Sequence, residues 1–379
     1  MRSFAIVALG SMLAAVGFAG GCVGDDLATT PPADGSDGSV PCVGAACSEG
    51  GVDSGGPNPN DSSIPPDASP PPPACAKIQV TTLAGSVEGN TNGPGNTATF
   101  KGPEGITVDP STGTLFVADT GNQLVRKVLS NGTTSTHSTT TGSGTWIAPR
   151  HASFPAGFNS LFVSDRSHDQ VFNVPAGGPA TSDFALGSLQ AFAVQPTTFQ
   201  KFVVSTTRVA KWIPGNGIEA TVFSGTFDSG FVDGTGAVAR YANNLDLAFD
   251  GDANLYVADQ GNHRIRKVIV AAGATSGTVS TVAGSATAGH TDGTGTAAKF
   301  EGPNAFAIDQ TAHLIYVADG ATIRVVTPAG VVSTLVGSNS AYLDGDGCTA
   351  KFVNVKGITK FANEIYVLDV NRIRKIVLN

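Results

Sequence analysis

From residue 105 onward, short runs of β-branched and aromatic residues alternate with turn residues, and the same order returns along the chain. Ile106-Thr107-Val108 leads through a turn to Leu115-Phe116-Val117-Ala118-Asp119, then through Thr120-Gly121-Asn122 to Leu124-Val125-Arg126-Lys127-Val128. A fourth run of the type Val279-Ser280-Thr281-Val282-Ala283-Gly284 completes the unit. Such runs read as four strands bounded by turns, repeating every ~40–60 residues. No segment keeps a long 3.6-residue apolar period with caps, so helix should be scarce. The second strand recurs six times, at Leu115–Asp119, Leu161–Asp165, Lys201–Ser205, Leu255–Asp259, Ile315–Asp319 and Ile365–Asp369. Copies two and three are degenerate, and copy three ends in Ser205 instead of Asp. Four-stranded units at this period predict an all-β, six-bladed β-propeller over 77–379, which leaves no long free sheet edge. The chain ends on a third strand, Arg372 to Val377, while Ile78-Gln79-Val80-Thr81-Thr82-Leu83 has the fourth-strand pattern of Val332-Ser333-Thr334-Leu335. The N-terminal strand should therefore complete the last blade and close the ring.

The stretch before the repeats has a different composition. Arg2 followed by apolar Phe4 to Ala19 and small residues reads as a signal peptide over 1–21. Cys22 directly after Ala19-Gly20-Gly21 resembles a bacterial lipoprotein cleavage site, with Ala19 where such sites usually carry Leu. Lipidation of Cys22 leaves an even four cysteines. Cys42 and Cys47 are close enough for a local disulfide in an oxidising compartment. Cys75 and Cys348 complete the count. In the expected topology, however, they lie on opposite faces of the disc, a strand length of roughly 17–20 Å apart, against the ~7 Å limit of a disulfide. Geometry therefore argues against that pair, and the sequence leaves it open. Residues 22–76 are rich in Pro, Gly, Ser and Asp and too poor in apolar surface to fold, so they read as a disordered tether.

Charge follows the same division. Of 22 basic and 30 acidic residues, only Arg2 but eight acids precede residue 77, leaving 21 against 22 in the repeats. The formal charge of −8 thus belongs almost wholly to the tether. A near-neutral globular part offers no electrostatic case for nucleic acid.

The repeat Tyr256-Val257-Ala258-Asp259-Gln260-Gly261-Asn262-His263-Arg264-Ile265-Arg266-Lys267 resembles NHL-repeat β-propellers. The links Asp233-Gly234-Thr235-Gly236, Asp292-Gly293-Thr294-Gly295 and Asp344-Gly345-Asp346-Gly347 are similar to a bacterial NHL subtype. The resemblance implies a scaffold that binds proteins or other ligands, with a minority of enzymes, and fold alone does not choose between them.

Candidate chemistry is sparse. The recurring Asp119, Asp165, Asp259, Asp319 and Asp369 suggest turn carboxylates that accept backbone amides, not a metal ring. Asp250-Gly251-Asp252-Ala253-Asn254 and Asp344-Gly345-Asp346-Gly347 look oxygen-rich but lack a full calcium-loop spacing. No histidine pair has zinc spacing, no Gly-x-Ser-x-Gly elbow stands out, and no cofactor is expected. Arg264-Ile265-Arg266-Lys267 and Arg372-Ile373-Arg374-Lys375 alternate along strands and read as solvated blade surface. Glu301-Gly302-Pro303 resembles an early Glu-Gly-Pro of lactonase-like propellers, yet it is the repeat equivalent of Lys101-Gly102-Pro103. The binding surface is placed on the face carrying the turns after the second strands, with Gln123, Arg166, His168, Arg208 and His263 as candidates.

The sequence thus describes an exported, lipid-anchored, non-catalytic propeller at the outer membrane or cell surface, or else periplasmic or secreted. It is expected to be a monomer that binds an envelope protein or a small-molecule or glycan ligand. The alternative is a metal-dependent hydrolase or lyase, which needs a convergent set of unlike Glu, Asn, Asp or His residues at the central channel. No such set is assembled from the sequence.

Overall fold

The computed structural model describes residues 74–378, except 142–143, 156, 176–179, 214–219 and 339. The signal peptide, Cys22, Cys42, Cys47 and nearly all of the tether lie outside the described residues. Six four-stranded antiparallel blades follow one another in chain order, and the only helical pieces described are short 3-10 turns. The innermost strands are Gly105–Val108, Pro149–Ser153, Leu189–Val194, Asn244–Phe249, Pro303–Ile308 and Val355–Phe361. Each touches the innermost strand of the next blade, and the last touches the first. Six apolar clusters form the core, one between each pair of adjacent blades. Both faces of every inner blade surface are therefore covered, which explains second strands such as Leu115–Asp119 that are buried along their whole length.

Closure follows the expected path. Gln79–Ala84 pairs antiparallel with Arg372–Val377, with Val80 opposite Ile376. The links entering blades five and six and the link before blade four were not expected to be strands. Gly234–Thr235, Gly293–Thr294 and Gly345–Asp346 each add a short fifth strand to the outer edge of a blade.

That added strand corrects the reading of Cys75 and Cys348. Gln79 pairs with Asp346, and the Gly347 amide donates to the Ile78 carbonyl at 2.8 Å. The link runs back along the outermost strand and so spans the thickness of the disc. This brings Cys348 beside Cys75, and the two form a disulfide with Cα atoms 5.1 Å apart.

The same links correct the reading of the basic runs. Arg126, Arg266, Arg324 and Arg374 are not solvated; all four side chains are fully buried. Each guanidinium reaches inward to the Asp ending its own second strand: Asp119 at 2.8 Å, Asp259 at 2.6 Å, Asp319 at 3.3 Å and Asp369 at 3.1 Å. Outward it meets Asn92, Asp233, Asp292 or Asp344 of the incoming link. An aromatic residue of that link covers it, as Phe100 covers Arg126 at 5.1 Å and Tyr241 covers Arg266 at 5.2 Å. Folding of the link over the strand removes water from this side, so the alternation of the run alone did not decide exposure. Burial pushes the Asp119, Asp259 and Asp319 carboxyls up, while donors from backbone amides and from Arg126, Arg266 and Arg324 pull them down.

The degenerate blades lose this clamp in two different ways. Blade three has Ser205 and Ala210 at the two positions, so acid and base are both gone. Blade two keeps Asp165 but holds it with the amides of Ile147, Ala148, Ser167 and His168. There Phe172 replaces the arginine and meets Trp146 edge-on at 5.3 Å. A buried ion pair that loses one partner is strongly destabilising; blade three avoids that state by losing both, and blade two offsets it with amide donors.

Candidate functional site

The inner strands surround a channel with a cavity of about 630 Å³, lined by residues of all six blades. Five of the six inner strands, all but that of blade one, enter through an irregular step against the neighbouring strand. In blade five, for example, pairing passes from Pro303–Asp319 to Ala305–Ala318 and leaves Asn304 unpaired. The step turns one residue out of the ladder in blades three, five and six and two in blades two and four. The mouth position is held by Arg150, Gln190, Leu245, Asn304 and Lys356 and, just ahead of the paired Gly105 in blade one, by Glu104. Six unlike side chains thus occupy one repeat position.

The next position is more informative. Four blades place a small residue there: Gly105, Ala191, Ala305 and Gly357. Space is scarce; a Cβ on Gly105 would overlap the carbonyl oxygen of Arg150 in the neighbouring blade. Blades two and four instead carry His151 and Asp246. In these two blades the position drops out of strand pairing altogether.

His151 and Asp246 meet across blade three, Nε2 to Oδ1 at 3.2 Å. Asp246 is buried and fully engaged: Oδ1 also accepts the Leu247 amide at 2.9 Å, and Oδ2 the Phe306 amide of the next blade at 2.8 Å. The His151 ring lies edge-on to Phe192 at 5.0 Å, and its Nδ1 is buried with no protein partner. Above them, Arg150 Nε contacts Glu104 at 3.2 Å while Nη1 stays unpartnered. Burial lowers the pKa of Arg150, Arg166 adds to that, and Glu104 and Asp246 oppose it. Asn304 is spent on scaffolding, accepting from Gln260 at 2.6 Å and donating to the Val355 carbonyl at 3.1 Å. Below the mouth the wall mixes Ile106, Phe192, Leu247, Phe306 and Ile358 with the polar Thr107, Ser153 and Thr359.

Of the residues selected from the sequence, Arg166 lines this channel. Gln123 and His263 hold the left-handed position of the turns after their second strands, and His263 Nδ1 faces the Glu301 carbonyl at 2.8 Å. His168 sits against Asp165 at 3.1 Å, and Arg208 stacks on Phe227 at 3.9 Å. These four do not line the channel. Glu301 lies outside it too, beside His290 at 2.7 Å. The mouth and the step behind it were missed because each contributes one or two residues per blade. Aligning the blades on the second-strand Asp and reading the variable position would have exposed them.

A divalent metal of the lactonase type needs converging carboxylate and amide oxygens. The channel does not fit one: Asp246 is committed to His151 and two amides, Glu104 is tied to Arg150, and the mouth carries Arg150, Arg166 and Lys356. Among the described residues, one group of acidic and His ligand atoms comes within 4.8 Å, Asp250, Asp252 and His313. Asp250 there spends its oxygens on the Asp252 and Asn254 amides, the Asn254 side chain and Tyr256. The second oxygen-rich link is turn chemistry too, with Asp346 accepting from Cys348 and Thr349.

Residues 100–128 match the NHL repeat model, and 270–352 match that of the Teneurin NHL domain. This chain forms an NHL-repeat β-propeller. No curated protein matches its sequence significantly. Among solved structures, the NHL propeller is similar to a structural genomics protein of unknown function from Bacteroides thetaiotaomicron, at 20% identity and TM-score 0.66, covering 79% of this chain and 76% of that one. An auxiliary nutrient binding protein from Bacteroides ovatus matches at 20% identity and TM-score 0.62, covering 80% and 77%. A gluconolactonase, XC5397 from Xanthomonas campestris, matches at 12% identity and TM-score 0.55, covering 80% and 90%. These likenesses concern the fold.

Proposed function

We propose that this NHL propeller is a non-catalytic binding protein whose ligand enters the central channel. The observation that carries the reading is the repeat position at the mouth, occupied by six unlike residues, five of them polar, that all line one cavity. Structural positions repeat across the blades because each blade solves the same packing problem; a position that diverges in every blade serves something asymmetric. A cavity of about 630 Å³ lined by apolar side chains and convergent polar groups has the size of small-molecule sites. The same fold serves as a nutrient binding protein in one neighbour and as a gluconolactonase in another, by their own names. The committed Asp246 and the cationic mouth favour the first role. In this reading the chain is exported as a monomer, anchored through lipidated Cys22 at the outer membrane or cell surface, and carried on the 22–76 tether with a Cys42–Cys47 disulfide. The Cys75–Cys348 bond supports an oxidising compartment.

The test uses the full chain in thermal-shift titrations against sugars, amino acids and organic acids. At least one class should raise Tm, and Thr359→Trp, which narrows the channel, should abolish the shift. A shift that survives the narrowing, or one divalent ion per chain together with lactone hydrolysis, would overturn the reading. For the anchor, palmitate labelling should be present in the native chain and absent from Cys22→Ser.

A further inference from the structure

We propose that the channel takes a small organic carboxylate with an apolar body, its head at the Arg150–Arg166–Lys356 mouth. This rests on the channel being the binding site and names the ligand class. The lining carries three full cations, Arg150, Arg166 and Lys356, and two carboxylates, Glu104 and Asp246. Glu104 is matched by Arg150 at 3.2 Å, and Asp246 by His151 and two amides. Arg166 and Lys356 are exposed and, among the described residues, take part in no ion pair. The charge left over at the mouth is therefore positive.

The placement of these cations is asymmetric. Arg150 and Arg166 come from blade two and Lys356 from blade six, on either side of Glu104 in blade one. The Arg150 guanidinium commits Nε to Glu104 and leaves Nη1 without a protein partner. The exposed Arg166 guanidinium, planar and in no ion pair among the described residues, suits a carboxylate. Behind the head group the wall offers Ile106, Phe192, Leu247, Phe306 and Ile358, with Thr107, Ser153 and Thr359 among them and no further cation. An apolar body removes the apolar part of that wall from water.

The experiment is isothermal titration of the full chain with octanoate, octanol, octylammonium and glucose. Octanoate should bind at least tenfold more tightly than octanol, octylammonium should not bind, and the octanoate affinity should fall with added salt. Arg166→Ala with Lys356→Ala should weaken octanoate at least tenfold and leave octanol unchanged. Both residues are exposed, so the fold is spared, and Lys101→Ala, a cation outside the channel, should behave as the native chain. Equal binding of octanol or octylammonium, or octanoate binding indifferent to the double variant, overturns the proposal. Glucose binding without octanoate overturns the carboxylate while leaving the channel reading intact. Failure of every probe, together with a thermal-shift panel indifferent to Thr359→Trp, overturns both.

Discussion

Residues decide this propeller in pairs. Arg266 and Asp259 are both fully buried at 2.6 Å, so removing the arginine strands a carboxylate in a dry site. Arg266→Ala should cost about 3–5 kcal/mol in urea denaturation. Adding Asp259→Ser should recover part of that loss, because blade three shows the same pair of positions as Ser205 and Ala210. A double variant no more stable than the single one would mean that the link, not the ion pair, holds the blade. Asp309 acts at the opposite end of its strand. The Ala312 amide and then the Lys360 ammonium hold its carboxyl at about 2, against an ordinary value of 3.8. Because the folded value is depressed, its stabilisation is complete above pH 3.8 and is lost as pH falls toward 2. With the side chain 20% exposed, the shift corresponds to about 2 kcal/mol. Asp309→Asn should flatten the acid limb of the stability curve between these values, and an unchanged limb would rule the pairing out.

At the scale of the strand, period and turn chemistry made the blades legible, including the degenerate third one, because apolar alternation survives loss of the clamp. Closure by Ile78 to Leu83 was legible for the same reason. The links were not: Gly293–Thr294 is too short and polar to read as a strand, yet its pairing with Val331 and Val332 determines that Arg324 is buried. The channel mouth was hidden by its own economy, since Glu104 or Lys356 beside a glycine reads as an ordinary turn. The small position behind the mouth makes a sharp prediction. Gly105→Ala drives a methyl into the Arg150 carbonyl of a packed neighbouring strand, and should cost about 1–3 kcal/mol. Gly187→Ala, with open space around the added carbon, should be near neutral. Equal effects would show that the approach of the strands does not set the cost.

For the whole molecule, the ring has one covalent seam. Blade six is the only blade assembled from both ends of the described chain, and its outer strand is held by pairing with Arg372–Val377 and by the Cys75–Cys348 bond across 273 residues of sequence. A disulfide closing so long a loop constrains the unfolded chain strongly, and its loss typically costs about 2–5 kcal/mol. Reduction, or Cys348→Ser, should therefore lower Tm. Amide exchange should speed up first in Gln79–Ala84 and then in Arg372–Val377, ahead of the other blades, because sheet pairing alone then holds the seam. The channel reports on the same event from inside. Lys356 and Ile358 belong to the inner strand of blade six, and that strand packs on blades five and one. If the seam sustains the mouth, reduction should weaken a channel ligand as well as Tm; if blade six keeps its inner strands when its outer strand frays, affinity should hold while exchange rises only at the rim.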